Sequence, residues 1–430
     1  MADAYTTFLA MSNDAPNVYI ANRMTELLER NLVLEKICDA YPLEQKMSKT
    51  LRAVRVKRLA LPSSELVEGV TPSTNALELE YQEVTVKQWG IVVLLTDVVE
   101  LTVKHPMLAI AIERVAMAMK ETQEREAAQV LMGGTNVSYP GAVTARSGLA
   151  ATDVMTSSLI FAVVAKLKMR GAPKYSPDGQ YMGVMQPPHT FSILSADTVF
   201  QQASNFARVV KLEYGYLGPF GNVDWIEGNF LPQYIGVAAA TTAAATATKA
   251  QYTVGTSGSL ATANYQLVVV GRELVTDYER RLSVQTGNIS VTSPGNILVN
   301  MPTSVNYSYD VYMTLAGGTV PYKVASRIAA GGSYNITTAP VGTEAVAPVS
   351  PALGVPVYPG WVFGKGALGI TILNGMSLQT FSTPKGPSDS DPLAQRKKVG
   401  AKYMQNFWIV DQSFLERFET SSSLAPAIPA

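Results

Sequence analysis

Between Leu51 and Thr96 apolar and charged residues take turns. Val54 and Val56 alternate with Arg55 and Lys57, and Leu77, Leu79 and Tyr81 alternate with Glu78, Glu80 and Gln82. A period of two places each set on its own side of a strand, so the stretch predicts a hairpin of two strands, each with one apolar and one charged face, joined through a polar tip at 62–75. After Gln82 the phase changes, because Val84 and Val86 carry the apolar set onto even positions. A β-bulge or a sharp twist is expected there. A lone two-stranded ribbon has little core of its own. Its apolar face is therefore expected to be covered from outside, by a neighbouring subunit.

Beyond Thr96 the period lengthens. Leu108, Ile112, Val115 and Met119 recur at four, three and four residues, which is one stripe of a helix, and Glu121 and Arg125 lie four apart on another face. Pro106 opens this helix and Gly133-Gly134 closes it; about 27 residues make a rod of roughly 40 Å. Upstream, 19–40 reads as a helical stretch within an arm. Downstream, 153–170 reads as another helix, and 190–226 mixes strand with helix around 197–206, giving an α+β region. From Gly236 to Thr248 the chain collapses into Ala and Thr, a linker composition. Short β segments come next at 265–270, 297–300 and 308–314, separated by Gly, Asn and Pro turns, as in a small β-sandwich of immunoglobulin or fibronectin type over 251–338. Strands return at 361–381 and 402–410, so the sandwich reads as an insertion in a host domain.

The 430 residues exceed one ordinary core, and 34 basic residues balance 34 acidic ones, which excludes a globally basic nucleic-acid binder. The single cysteine, Cys38, permits no intrachain disulfide, and Met1–Asn22 lacks the cationic start and apolar run of a secretion signal. A reducing cytosol is the expected setting. The nearest approach to a membrane span, Ile91–Val99, is short and interrupted by Thr96 and Asp97, so no membrane partner is expected.

Candidate chemistry is sparse. His105 and His189 are the only histidines, each beside proline, and read as turn or capping residues; no GxSxG elbow accompanies them. Gly364–Gly369 matches GxGxxG, with Asp389 twenty residues on, but a dinucleotide loop must open a helix. Here Ile370–Leu373 continues as strand, so a β-hairpin with glycines at its bends is expected. No catalytic set, metal or cofactor emerges. Lys46, Lys49, Arg52, Arg55, Lys57 and Arg58 form a basic run. Two readings are open for it: phosphate contact on packaged nucleic acid, and pairing with Glu78, Glu80 and Glu83 across strands or between subunits. The comparable alternation of acids and bases favours pairing. Arg396, Lys397 and Lys398 against Asp389 and Asp391 read as a salt-bridged loop.

The order of arm, hairpin, long helix, α+β domain with insertion and return strand resembles the major capsid proteins of tailed bacteriophages with the Hong Kong 97 type fold. Four motifs in order narrow this to the coat proteins of N-four-like podoviruses: Leu66–Pro72 (LVEGVTP), Gly90 with Thr96-Asp97 before Pro106, the helix end Leu131–Thr135, and Ser388–Gln395 leading to Val399–Lys402. In the last motif Asp389, Asp391, Pro392, Gln395, Gly400 and Lys402 carry the likeness.

The resemblance implies an α+β shell subunit, not an enzyme, with 1–48 as N-terminal arm, 49–104 as E-loop hairpin and P-domain strands, and 105–150 as the P-domain spine helix and following loop. The A-domain then takes 151–235 and 349–398, the inserted sandwich 236–348, and the P-domain return strand and tail 399–430. Glu68, Gly69, Val70, Thr71 and Pro72 at the tip, with Leu77, Leu79 and Tyr81, are the expected intersubunit contact. Arg52, Arg55, Lys57, Arg58, Glu78, Glu80 and Glu83 are expected to pair or to face the lumen. Implied partners are copies of the chain in hexamers and pentamers, packaged double-stranded DNA, and decoration, portal or scaffold proteins, in a virion assembled in the host cytoplasm. The rival readings are an encapsulin-like compartment, a cytosolic enzyme with an unrecognised site, and a surface adhesin or decoration protein.

Overall fold

The computed structural model describes residues 32–46, 48–57, 59, 61, 65, 76–103, 106–175, 179–196, 216–374, 376, 378–382 and 395–424. The N-terminal arm before 32, the hairpin tip from Glu68 to Pro72, Arg58, His105, the segment 197–206, and Asp389, Asp391 and Pro392 lie outside the described residues. The structure is α+β, strand-rich with few helices, and divides into two compact units: 38–127 with 368–410, and 128–367 with 411–424 and a short piece ending at Ile37.

The first unit opens with β1 (Asp39–Leu43), β2 (Thr50–Val56), β3 (Leu79–Thr85) and β4 (Lys87–Thr96), followed by α1 (Asp97–Thr102) and α2 (Met107–Met132), whose later residues pass into the second unit. The second contains β5 (Val137–Ser138), α3 (Ser157–Met169), β6 (Tyr181–Met185), α4 (Pro187–Ala196), β7 (Tyr216–Phe220), β8 (Val223–Glu227) and β9 (Tyr234–Val237). It continues through β10 (Gln251–Leu260), β11 (Ala263–Tyr265), β12 (Leu267–Glu273), β13 (Glu279–Ser283), β14 (Ile289–Val291), β15 (Gly295–Asn300), β16 (Tyr307–Thr314), β17 (Pro321–Ala329), β18 (Ser333–Ile336) and β19 (Pro356–Phe363). The chain then supplies β20 (Leu368–Leu373), β21 (Gln379–Ser382) and β22 (Arg396–Ile409) to the first unit, and β23 (Leu415–Thr420) to the second.

In the first unit β22 is the spine of a five-stranded sheet: β4 lies along one edge, and β21 and β20 share the other, with β1 beyond β20. Odd positions of the two longest strands turn to α2. Trp89, Val93 and Leu95 from β4 and Val399, Ala401 and Tyr403 from β22 meet Leu108, Ala111, Ile112, Val115 and Met119, the stripe the helical spacing predicts. The 26 residues of α2 give a rod of about 39 Å. Where 19–40 reads as helix from sequence, the described end is a 3₁₀ turn at Leu34–Ile37 followed by β1. Pairing with β20 holds the segment extended, and Pro42 inside β1 excludes a helix through it.

The second unit is built on an eleven-stranded sheet, with path β17-β16-β12-β13-β9-β19-β6-β8-β7 and β23 and β5 attached beside β19. A three-stranded sheet, β10-β15-β18, shares a core with one end of it, Ile297, Val299 and Ile336 on one side and Leu267, Val269, Tyr309 and Val311 on the other. The expected short strands fall in β12, β15 and β16. The expected separation of this region by slack connectors does not hold: β13 pairs parallel with β9, so its sheet continues into the rest of the unit. The Ala/Thr stretch is packed at its start, though most of 242–248 is exposed. Thr241 donates to Ala250 and accepts from Tyr252, Ala240 and Ala250 are buried, and a Cβ on Gly236 would stand 2.3 Å from the Ala352 carbonyl. At Gly236 the small residue is there because backbones approach closely.

Candidate functional site

The hairpin forms as its alternation predicts. β2 and β3 pair antiparallel without a register shift, from Thr50 opposite Thr85 to Val56 opposite Leu79. Opposed residues share a side, so Val54 with Tyr81 and Val56 with Leu79 make one apolar face. In the subunit that face is bare: Val54 is 57% exposed, Val56 54%, Tyr81 54%, Leu79 45% and Leu77 65%. Of the bulge or twist expected after Gln82, the bulge is absent. The change of phase has another cause, because at the ribbon's base it is the opposite side that turns inward, burying Val84 to 4% exposure and Val86 completely. Val86 donates to the Lys49 carbonyl, and the side chains of Gln82 and Asn406 bond the carbonyls of Ile409 and Thr85, tying the base to β22.

The hairpin charges find partners on their own ribbon. Arg52 pairs with Glu83 and stacks over the Tyr81 ring at 5.4 Å, Lys57 meets Glu78 at 2.9 Å, and Arg55 is the register partner of Glu80. Exposed pairs of this kind contribute about 0.2–1 kcal/mol each. Of the two readings open for the basic run, this arrangement favours pairing, and Arg52–Glu83 and Lys57–Glu78 are pairs across the two strands of one copy.

The return-strand motif lies on the first unit's sheet. The Gln395 carbonyl accepts from Asp97 N–H at 2.9 Å, Gly400 stands opposite Val92 and Lys402 opposite Gly90, and Lys402 Nζ lies 5.0 Å from the centre of the Phe381 ring. A Cβ on Gly400 would come within 3.2 Å of the Ile91 carbonyl oxygen, so this crossing of β4 and β22 favours a glycine. Lys397 bonds Glu100 at 3.2 Å; the acids expected to meet this lysine, Asp389 and Asp391, lie outside the described residues.

The residues with catalytic potential have structural work. His189 is fully buried, accepts from the Gln186 backbone N–H at Nδ1 and so donates from Nε2 to the Tyr358 carbonyl. Burial lowers its pKa to about 4, partly offset by that carbonyl, and the ring stays neutral. Among the described residues no group of His, Cys, Asp and Glu is placed to hold a metal ion. The GxGxxG glycines lie between β19 and β20, with Gly366 at φ +75°. They lead into a strand, as expected, but the expected hairpin is not formed: β19 and β20 belong to different sheets.

One polar cluster escaped the sequence reading. β23 is buried throughout although it reads Leu-Glu-Arg-Phe-Glu-Thr. Glu416 takes Arg170 and Ser138, with Lys166 at 3.6 Å; Glu419 takes Arg146 at 2.6 Å and Arg417 at 3.1 Å. Burial opposes the Arg146 charge, but the paired hydrogen bonds to Glu419 outweigh it and raise its pKa. Arg417, with burial and then Arg146 against it, is lowered despite Glu419. Arg146 and Arg170 stand more than 240 positions before their carboxylates, so local patterning carried no sign of the cluster.

No protein-family description matches the chain, and no curated protein does. Solved structures do. The capsid structure of cyanophage P-SCSP1u covers 98% of this chain and 100% of its own, with a TM-score of 0.51 at 12% identity. The capsid of Ralstonia phage GP4 covers 99% and 100%, with a TM-score of 0.52 at 12% identity, and a structure from Mycobacterium phage Che8 covers 94% and 97%, with a TM-score of 0.50 at 10% identity. Over nearly its whole length, therefore, the chain is folded like phage capsid chains.

Proposed function

We propose that this chain is a phage major capsid protein, which self-associates into a closed shell around double-stranded DNA. The observation that carries the proposal is likeness of fold to capsid chains over 98–99% of the sequence, with nothing large left over on either side. The bare apolar face of the hairpin supports it independently, since an ordered ribbon with five large apolar residues exposed is what a subunit presents to a neighbour.

On this reading the hairpin is the E-loop of a Hong Kong 97 type subunit, reaching over an adjacent copy. The first part of α2 with β4 and β22 is the P-domain, and the second unit serves as the A-domain around the capsomer axis, in hexamers and pentamers. The motifs at Gly90, Leu131–Thr135 and Val399–Lys402 support the narrower kinship with N-four-like coats. Function then resides in repeated interface area, where each copy is held by several contacts and none needs to be strong. Portal, scaffold and decoration proteins are the further partners, the assembled shell belongs to the virion, and no catalytic step is assigned.

Electron microscopy of the purified recombinant chain tests this. Closed, uniform particles are expected, and they should fail to form when 65–75 is deleted although the protein stays soluble. A chain that remains monomeric and turns over a small substrate would overturn the proposal.

A further inference from the structure

The first unit's sheet ends in an edge that none of the described residues protects. β4 pairs with β22 on one side only, and among the described residues no strand pairs with its other side. Edge strands are normally blunted by charge, proline or brevity. β4 has ten residues, no proline, and no charge from Gln88 to Thr96. Ile91 is 39% and Val92 66% exposed.

The ladder fixes which backbone groups are free. Asp97 N–H donates to Gln395, on the β22 side, and Met404 N–H, opposite Gln88, donates away from β4 to Met376. In an antiparallel pair such directions alternate. The odd residues of β4 are thus bonded to β22, and Gln88, Gly90, Val92, Leu94 and Thr96 aim their N–H and C=O groups outward. A strand placed on this edge must supply outward groups at the same spacing and tolerate an uncharged neighbour.

β4 itself meets both conditions. We propose that β4 of one copy pairs antiparallel with β4 of a second copy about a two-fold axis, Val92 opposite Val92, joining two five-stranded sheets into one. That register places Gly90 opposite Leu94 and Gln88 opposite Thr96, so all five outward residues on each copy are bonded. It also sets Lys87 of one copy opposite Asp97 of the other at both ends. In a two-fold pairing residue i meets j and j meets i, so the opposite charges that bound the strand meet crosswise at both ends. The ribbon strands of this unit fit less well, because β2 and β3 carry arginines and glutamates already paired with each other. The proposal rests on the self-assembling reading above and names one of its contacts.

A single cysteine tests it. In the full chain with Cys38→Ser, Val92→Cys places two thiols across the axis on strands whose Cα atoms stand about 5.5 Å apart, within disulfide range. Particles of this variant, mildly oxidised and run on a non-reducing gel, are expected to give a band at twice the monomer mass. Lys87→Asp or Asp97→Lys alone should reduce the dimer yield several-fold, and the double exchange should restore it. Closed particles whose Val92→Cys chains stay monomeric on the gel, or whose cysteine captures another segment when linkages are mapped by mass spectrometry, overturn the edge pairing and leave the shell reading standing. Wild-type protein that never forms particles removes both.

Discussion

Replacing the bare face of the hairpin should separate assembly from folding. Consider Val56→Thr, Leu79→Thr and Tyr81→Thr together, a change that keeps residues suited to strands in the ribbon and leaves the Arg52–Glu83 and Lys57–Glu78 pairs in place. Full burial of a large apolar side chain is worth about 1.5–3 kcal/mol, and each of the three is about half exposed. A neighbour covering them gains roughly 2–4 kcal/mol that the variant lacks, which is about thirty-fold or more in each contact. Within the subunit Tyr81 also lies under the Arg52 guanidinium, but exposed substitutions shift stability by about 0.5 kcal/mol or less each. The threshold concentration for particles, followed by light scattering, should therefore rise by at least about thirty-fold. The melting temperature of unassembled protein should stay within about 2 °C. Particles at the wild-type threshold would refute the reasoning, and so would a monomer melting several degrees lower, because the face would then be packed inside its own subunit.

The buried residues make opposite predictions. Arg146→Ala leaves Glu419 buried with Arg417 alone and should cost about 3 kcal/mol in urea unfolding, whereas Arg52→Ala should cost less than about 1 kcal/mol. Gly360→Ala places a Cβ 2.2 Å from the Phe418 ring and 2.9 Å from the Val184 carbonyl oxygen, so a loss of at least about 2 kcal/mol is expected by the same measurement. His189 sets a pH dependence. Its pKa falls from 6.5 to about 4 on folding, so the unfolded chain binds the extra proton between those values. Stability is full above pH 6.5 and is lost as pH falls toward 4, by about 3 kcal/mol in total, and His189→Gln should flatten that slope in acid titrations followed by circular dichroism.

Features that depend on neighbours in sequence were legible in advance. The hairpin and α2 announce themselves because Val54, Val56, Leu79 and Tyr81, or Leu108, Ile112, Val115 and Met119, repeat with the period of their element, and because Pro106 and Gly133 punctuate it. The long-range features were hidden. Val84 and Val86 shift phase because the base of the ribbon turns its other side to the core, and nothing local separates that from a bulge. β23 offers three charged residues in six, a surface pattern, and only Arg146, Lys166 and Arg170 make it a buried strand. Ala and Thr at 236–248 suggested slackness throughout, but the start of the segment is held by the nearness of Gly236 to the Ala352 backbone and by the hydrogen bonds of Thr241.

The position of β23 along the chain has a consequence for the timing of synthesis. Residues 415–420 close onto 356–363 on one side and 137–138 on the other, so a nascent subunit holds an incomplete sheet until residue 420 has left the ribosome. Until then Glu419 is missing, and with it the carboxylate that pairs with Arg146. The hairpin, by contrast, needs nothing beyond residue 85 to pair its strands. On the proposed reading the ribbon that meets a neighbour is thus translated early and the closing strand of the larger unit's sheet late, so an assembly contact exists before the subunit that carries it is complete.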